Sequence, residues 1–269
     1  MVNELLRSAS LCLSSSETPM LDARVLLAGA MKVENAAMIF RDPTDAEKTT
    51  FEKFITMRQN GVPVAYILGK KEFMGLSFHL NKDTLIPRPD TECLVEKIIE
   101  HNNKDNAKIL DLCTGSGCIG ISLVKFIKNS TCDLTDISQG ALSAAKENAR
   151  INSVESRTRV FPLDVLCDEI SGEYDIIVSN PPYIQTGVMK TLSVSEFEPL
   201  RALDGGEDGL LFYRVIAKKA YDALPIGGML ALEIGYDQKE SVRALLKDFS
   251  SVEAFKDYGG NDRVIIAKK

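Results

Sequence analysis

Short apolar runs and helix-spaced apolar positions alternate along most of this chain. From Lys108 onward, Ile109-Leu110, Asp133-Leu134, Val160-Phe161, Ile176-Ile177-Val178 and Met229-Leu230-Ala231-Leu232 read as strands. Helical patterns such as Ile119, Leu123, Phe126 and Ile127 lie between most of them. Alternation of this kind predicts an α/β fold, a mostly parallel sheet with helices on both faces. The stretch from Tyr258 to Ala267, with Gly259-Gly260 before Val264-Ile265-Ile266, predicts an antiparallel hairpin strand at the C-terminal edge.

The first sixty or so residues have a different rhythm and predict a small helical domain. Thr18-Pro19 reads as an N-cap with proline at the first helical position, and Leu21, Val25 and Ala28 then share a face. Thr44 and Glu47 have capping-box spacing, followed by Phe51, Phe54, Ile55 and Arg58, whose aliphatic stem closes that face. Near Gly61-Val62-Pro63 the style changes. Tyr66-Ile67-Leu68 and Leu76-Ser77-Phe78 are β-prone runs around Gly69 and Gly75 that predict a hairpin. The proline-rich Ile86-Pro87-Arg88-Pro89-Asp90 excludes regular structure until a helix resumes near Thr91. The expected organisation is a helical domain over 1–62, a β-hairpin linker over 63–88 and an α/β domain over 89–269.

Composition narrows the partners. A chain of 269 residues with 45% hydrophobic and 26% charged residues is ordinary globular material, and its net charge of −6 offers no broad basic field for a nucleic-acid backbone. The six cysteines, Cys12, Cys93, Cys113, Cys118, Cys132 and Cys167, form no CxxC pair, and two histidines supply little for a metal site. Free thiols, no signal-peptide apolar region and no run near the roughly 20 apolar residues of a membrane span predict a cytoplasmic, monomeric protein without a metal.

The candidate chemistry begins at Asn180-Pro181-Pro182-Tyr183, directly after the apolar run Ile176-Ile177-Val178. Neither proline has an N–H, so the strand ends there and the turn keeps carbonyl acceptors with few donors to consume them. Asn180 adds a side-chain amide and Tyr183 a flat ring. The turn suits a planar, donor-rich group such as an –NH2 on an sp2 framework.

A second motif, Asp111-Leu112-Cys113-Thr114-Gly115-Ser116-Gly117-Cys118-Ile119-Gly120, stands where a first strand hands over to a helix. Asp136 then ends the second strand, placed to accept from ribose hydroxyls. The glycines also satisfy GxGxxG, which on its own leaves a dinucleotide open. Asp111 at the strand tip suits a methionine ammonium better than a pyrophosphate, and a hydride-transfer enzyme has no need of the Asn-Pro-Pro-Tyr turn. Both points favour S-adenosylmethionine. Asp164, after the third strand, either accepts from an adenine amine beside Val165 or opens a surface turn.

Taken together, these motifs resemble the class I S-adenosylmethionine-dependent methyltransferases, and more closely the HemK/PrmC family of peptide-chain release factor glutamine N5-methyltransferases. The resemblance runs through Pro63-Val64-Ala65-Tyr66-Ile67-Leu68-Gly69, Glu72-Phe73-Met74-Gly75, Ile86-Pro87-Arg88-Pro89-Asp90-Thr91-Glu92 and Val178 to Ile184. It continues through Gly205-Gly206-Glu207-Asp208-Gly209-Leu210 and Lys256 to Arg263. It implies a Rossmann-like sheet, S-adenosyl-L-methionine as cofactor, and the glutamine of the Gly-Gly-Gln motif of class 1 release factors as substrate. The helical N-terminal domain is implied to grip that partner. The implied cofactor set is Asp111, Cys113, Thr114, Gly115, Ser116, Gly117, Asp136, Ile137, Asp164, Val165 and Asn180. Cys113 stands where the family usually has glycine.

The expected mechanism needs no metal, covalent intermediate or strong base, because a methyl on a sulfonium is already activated. The Asn180 side-chain carbonyl and the Pro181 carbonyl accept the two amide hydrogens, Pro182 and Tyr183 complete the substrate pocket, and positioning lowers the barrier. Arg88 and Glu92 either orient groups at the site or pair on the surface. Glu198, Arg201 and Gly205–Gly209 form either a substrate lip or a mobile loop. The alternatives are a ribosomal-protein glutamine methyltransferase, an adenine-N6 methyltransferase acting on a flipped base, a dinucleotide oxidoreductase and a non-catalytic binding module.

Overall fold

Residues 2–34, 37, 41–189, 191 and 196–269 are described by the structure, a computed structural model. Contacts divide the chain into Met1–Lys70 and Lys71–Lys269. Residues 63–70, read from the sequence as the start of a linker, lie in the first unit.

The first unit holds α1 (Val2–Cys12), α2 (Pro19–Met31), α3 (Asp45–Gln59) and α4 (Val64–Leu68). Pro19 sits in the first turn of α2, and α3 opens with the full reciprocal Thr44–Glu47 capping box. The buried apolar residues of α2 are Ala23, Leu26, Leu27, Ala28, Ala30 and Met31, so Ala28 is buried as expected. Leu21, expected on that face, is exposed. The tighter i, i+3, i+4 run carries the larger continuous apolar area and sets the rotation of the helix. Arg58 does more than lay down a stem: its Nε donates to Asp22 Oδ2 at 2.7 Å. The run Tyr66-Ile67-Leu68 is helical, not β. Pro63 caps a short turn of helix that ends on Gly69 at φ 65°.

From the boundary residue Lys70 onward, β1 (Lys70–Phe73) and β2 (Leu76–His79) form the hairpin. Its turn residues Met74 and Gly75 both have positive φ, 52° and 70°, as a tight two-residue connection requires. Asn148 and Asn152 hydrogen-bond the backbone of β2 at His79 and Ser77, and Phe73 and Phe78 enter the core.

The remaining elements are α5 (Pro89–His101), β3 (Lys108–Leu112), α6 (Cys118–Phe126), β4 (Thr131–Asp136), α7 (Gln139–Ile151), β5 (Thr158–Pro162), β6 (Ile176–Ser179), α8 (Thr186–Met189), α9 (Leu211–Ala223), β7 (Met229–Glu233), α10 (Lys239–Leu245), β8 (Ser251–Lys256) and β9 (Asp262–Lys268). Seven strands form one sheet in the order β5-β4-β3-β6-β7-β9-β8. β5 through β7 are parallel neighbours. β9 runs antiparallel to both β7 and β8, and β8 closes that edge. Strand residues alternate between two cores. Ile109, Val178 and Ala231 pack under α5, α6 and α7, whereas Leu110, Ile177 and Leu230 pack under α9 and α10. This two-sided burial explains why the strands read as continuous apolar runs.

Strand order positions the site. From β3 the chain goes outward one way through β4 and β5, then returns to add β6 on the other side. Loops that leave β3 and β6 therefore diverge and open a crevice at their carboxyl ends. The Gly-rich loop leaves β3 and the Asn-Pro-Pro-Tyr turn leaves β6, with Leu112 paired to Ser179 in register. Two motifs far apart in sequence are thereby brought side by side.

Candidate functional site

A cavity of about 250 Å3 lies at this switch point. Of the residues singled out from sequence, Cys113, Thr114, Gly115, Ser116, Asp136, Ile137, Asp164, Val165, Asn180 and Pro182 line it. Asp111, Gly117, Pro181 and Tyr183 do not. Thr91, Leu163 and Phe212 join the wall without having been singled out as site residues.

Asp111 lies beneath the loop, wholly buried. Its Oδ2 accepts from the Thr114 hydroxyl at 2.6 Å and from the Gly120 N–H at 2.9 Å, while Oδ1 is buried without a hydrogen-bond partner. Through Oδ2 the carboxyl braces the glycine loop. Burial, opposed by the Thr114 and Gly120 hydrogen bonds, pushes its pKa up to about 7. A Cβ on Gly120 would stand 3.0 Å from this oxygen and 2.4 Å from Leu134, so the close packing of α6 on β4 needs glycine.

Asp136 ends β4 on the cavity wall. Its two oxygens accept the N–H groups of Gly115 and Ser138, each at 2.9 Å, which ties the tips of two strands together. Burial raises its pKa. Each oxygen keeps a lone pair for a further donor. Gly115, at φ 54°, has open space where a side chain would stand, so the loop backbone can be approached directly. Cys113 has φ 58°, a left-handed backbone that explains why glycine suits this position. Its thiol is pushed well up, mainly by burial and next by the charge of Asp136. Leu163, Val165 and Phe212 supply an apolar wall beside Asp164, whose Oδ1 accepts the Leu166 N–H.

At the other end, the Asn180–Tyr183 turn is held from behind. Tyr183 directs its hydroxyl away from the cavity to Glu233 Oε1, at 3.4 Å. Its carbonyl accepts from Gln238 Nε2 at 3.0 Å, and the Ile184 N–H and C=O bond to Leu203 and Gly205. The Gly205–Gly209 loop packs behind the turn as a backing plate. A Cβ on Gly205 would meet the Tyr183 backbone at 2.7 Å, and one on Gly209 its carbonyl at 2.5 Å. Asn180 Nδ2 donates to Thr91 Oγ1 at 3.4 Å, and the Pro181 carbonyl accepts no hydrogen bond from the described residues. Burial, more than the charge of Glu233, raises the Tyr183 pKa well above the usual phenol range.

Arg88 and Glu92 do not pair with each other. Arg88 lines the cavity and pairs with the buried Glu198, which also accepts the Ile86 N–H at 3.3 Å. Glu92 accepts the Met74 N–H at 2.7 Å and so fixes the β1–β2 turn. Arg201 is on the cavity wall. Among the described residues no group of three or more His, Cys, Asp or Glu side chains could hold a metal ion, and no helix is long and apolar enough to cross a membrane. Thr91 was visible only as part of Ile86 to Glu92. Glu233 carried a signal that went unused: a charge closing an otherwise apolar, fully buried strand.

Comparison with known proteins matches residues 4–69 to the PrmC N-terminal domain and residues 89–198 to the Methyltransferase small domain. A protein of Clostridium botulinum named release factor glutamine methyltransferase is 41% identical over 260 residues, 93% of this chain and 92% of that one. One of the same name from Agrobacterium fabrum is 41% identical over 263 residues, 93% and 91% of the two chains. Among solved structures, a methyltransferase from Pyrococcus furiosus superposes with a TM-score of 0.55 at 19% identity, covering 74% of this chain and 91% of that one, a likeness of fold.

Proposed function

The chain belongs to the release factor glutamine methyltransferase family, and from that premise we propose that it methylates the side-chain N5 of the Gly-Gly-Gln glutamine in class 1 release factors, with S-adenosyl-L-methionine as donor. The cavity residues fit such a donor. Gly115 leaves its backbone open to close approach, Asp136 offers lone pairs at the height of a ribose, and Leu163, Val165 and Phe212 flank Asp164 as a slot for a purine. When bound, S-adenosylmethionine supplies a methyl group already activated by its sulfonium.

The observation that carries the reading is the state of the turn. Asn180 lines the cavity with its NH2 engaged by Thr91, which leaves Oδ1 as the end without an assigned partner. The neighbouring Pro181 carbonyl is unconsumed among the described residues. In this reading Asn180 Oδ1 and Pro181 O accept the two hydrogens of the glutamine amide. They hold its plane, draw electron density to nitrogen, and stabilise the positive charge that grows there as the N–C bond forms. The product nitrogen has exchanged one hydrogen for methyl, and that proton leaves to solvent. Tyr183 acts from behind, by keeping the turn against Glu233 and Gln238. The proposal includes a helical first domain that docks the release factor, and a cytoplasmic monomer with free thiols.

Mass spectrometry of a release factor incubated with enzyme and S-adenosylmethionine is the test, with one added methyl expected on the Gly-Gly-Gln peptide. Asn180→Ala should lower the rate by about 100- to 1,000-fold while cofactor affinity holds. Methyl transfer to nucleic acid or to a ribosomal-protein glutamine, with none to release factors, would replace the substrate. A near wild-type rate for Asn180→Ala would discard the mechanism.

A further inference from the structure

Arg88 is a cation on the cavity wall to which the chemistry described so far gives no task. It is the N-cap residue of α5, and Thr91, in the first turn of that helix, accepts from Asn180 Nδ2 at 3.4 Å. Arg88, Thr91 and Asn180 all line the cavity. Arg88 therefore stands at the Asn180 end, where the methyl group has to be delivered.

The guanidinium is anchored from behind. Glu198, whose side chain is 3% exposed, accepts one of its N–H groups and also the Ile86 N–H at 3.3 Å. The Arg88 side chain itself is 42% exposed. A guanidinium carries its N–H donors in a rigid fork. Those not given to Glu198 have no hydrogen bond among the described residues. Glu198 thus holds the fork without exhausting it.

Charge elsewhere on the wall is mostly of the other sign. Asp83, Asp136 and Asp164 stand there, and besides Arg88 only Arg201 is basic among the described residues. S-adenosylmethionine has two cationic groups, a sulfonium and an ammonium, and one anion, its α-carboxylate. A carboxylate taken out of water needs a cation and several donors, and the three acids repel it. That carboxylate is only a few bonds from the sulfonium, so it belongs at the same end of the cavity as Asn180. Arg201 is exposed and makes no hydrogen bond or ion pair among the described residues, so its whole side chain would have to be ordered on binding. Arg88 is already held.

We propose that Arg88, held by Glu198, receives the α-carboxylate of S-adenosylmethionine. The proposal rests on the donor assigned above and deepens that reading. It gives a task to the arginine of the Ile86 to Glu92 motif. The cavity then selects a nucleoside that carries an amino-acid end over one whose tail lacks the carboxylate.

Titration calorimetry without release factor tests this with S-adenosylmethionine and its decarboxylated form, which differ only in that group. The wild type should prefer S-adenosylmethionine. Arg88→Met should weaken S-adenosylmethionine about 10- to 100-fold and change the decarboxylated ligand less than about threefold. Removing the arginine alone leaves Glu198 buried and unpaired. Arg88→Met combined with Glu198→Gln takes both charges away, and it should show the same selective loss in a stable fold. Arg201→Met should change the two ligands equally. An equal loss for both ligands in the Arg88 variants would reveal a structural role and overturn the assignment, as would a selective loss confined to Arg201→Met. A wild type that binds neither ligand refutes the donor, and the carboxylate assignment with it. No release factor is present, so an error in the assigned substrate does not enter the result.

Discussion

Asp111 and Glu233 are near counterparts at the two ends of the site. Each is a carboxyl on a central strand, wholly or almost wholly buried, with its pKa pushed up to about 7 by burial and one oxygen without a partner. They differ in who holds the other oxygen. Asp111 is met by Thr114 and Gly120, 3 and 9 residues further on, inside its own strand-loop-helix unit. Glu233 is met by Tyr183, 50 residues upstream on the turn after a different strand. The first end of the cavity is one local motif. The second exists only when β6, β7 and α5 have all been placed.

The largest expected effect is on stability against pH. Burial raises both pKa values to about 7 from the ordinary 3.8 and 4.5, so the folded state binds more protons between those limits. Their contribution is therefore greatest in acid and is lost as pH rises through about 7, by up to about 4 kcal/mol for Asp111 and about 3 kcal/mol for Glu233. Asp111→Asn and Glu233→Gln should each flatten this decline in urea unfolding, gaining on the wild type near pH 8 and losing that advantage near pH 5. A double-mutant cycle sharpens the contrast: Tyr183→Phe should couple to Glu233→Gln and add simply with Asp111→Asn. Coupling to Asp111 would break the division into two independent ends.

A paired glycine substitution should separate the ends by their readout. Gly120→Ala puts a Cβ 2.4 Å from Leu134 and 3.0 Å from Asp111 Oδ2, inside one motif. Its cost is overpacking, about 1–3 kcal/mol of stability, with weaker cofactor binding measured by calorimetry. Gly209→Ala puts a Cβ 2.5 Å from the Tyr183 carbonyl at a φ of 72°. That displaces the Asn180–Tyr183 turn, and kcat should fall about 100-fold while cofactor affinity holds. If cofactor affinity falls equally in both variants, the ends are not separate.

The same contrast explains what could be read in advance. The sheet, the loop after β3 and the acid at the tip of β4 are written in runs of ten residues or so, with glycines and apolar blocks in fixed order. Ile109 to Gly120 carries the groups that hold Asp111 and its own loop. The capping box at Thr44 is legible for the same reason. Short elements with mixed signals are not: Tyr66-Ile67-Leu68 has β-prone residues, yet Pro63 and Gly69 bracket a helical turn that buries Ile67. The Tyr183–Glu233 contact, the Arg88–Glu198 pair and the Asn180–Thr91 contact join side chains 50, 110 and 89 residues apart. No local pattern encodes those distances. Glu233 alone left a trace, as a charged end to an apolar strand.

The smallest predicted effect tests how self-contained the first end is. Cys113 holds a left-handed backbone at φ 58°, a conformation that costs a side-chain-bearing residue about 1–2 kcal/mol. Cys113→Gly releases that strain. It also gives the unfolded chain more freedom, a penalty of about 0.5–1 kcal/mol, and it removes a partly buried thiol that packs against the second core. The terms nearly cancel, so the urea midpoint should move by the equivalent of less than about 1 kcal/mol. Cofactor affinity should hold or improve slightly, because the loop backbone keeps its path with less beside it. A loss above about 2 kcal/mol would mean that the thiol's packing on the second core outweighs the strain. In that case the Asp111 end would also draw its stability from elements far away in sequence, and the contrast with Glu233 would be one of degree.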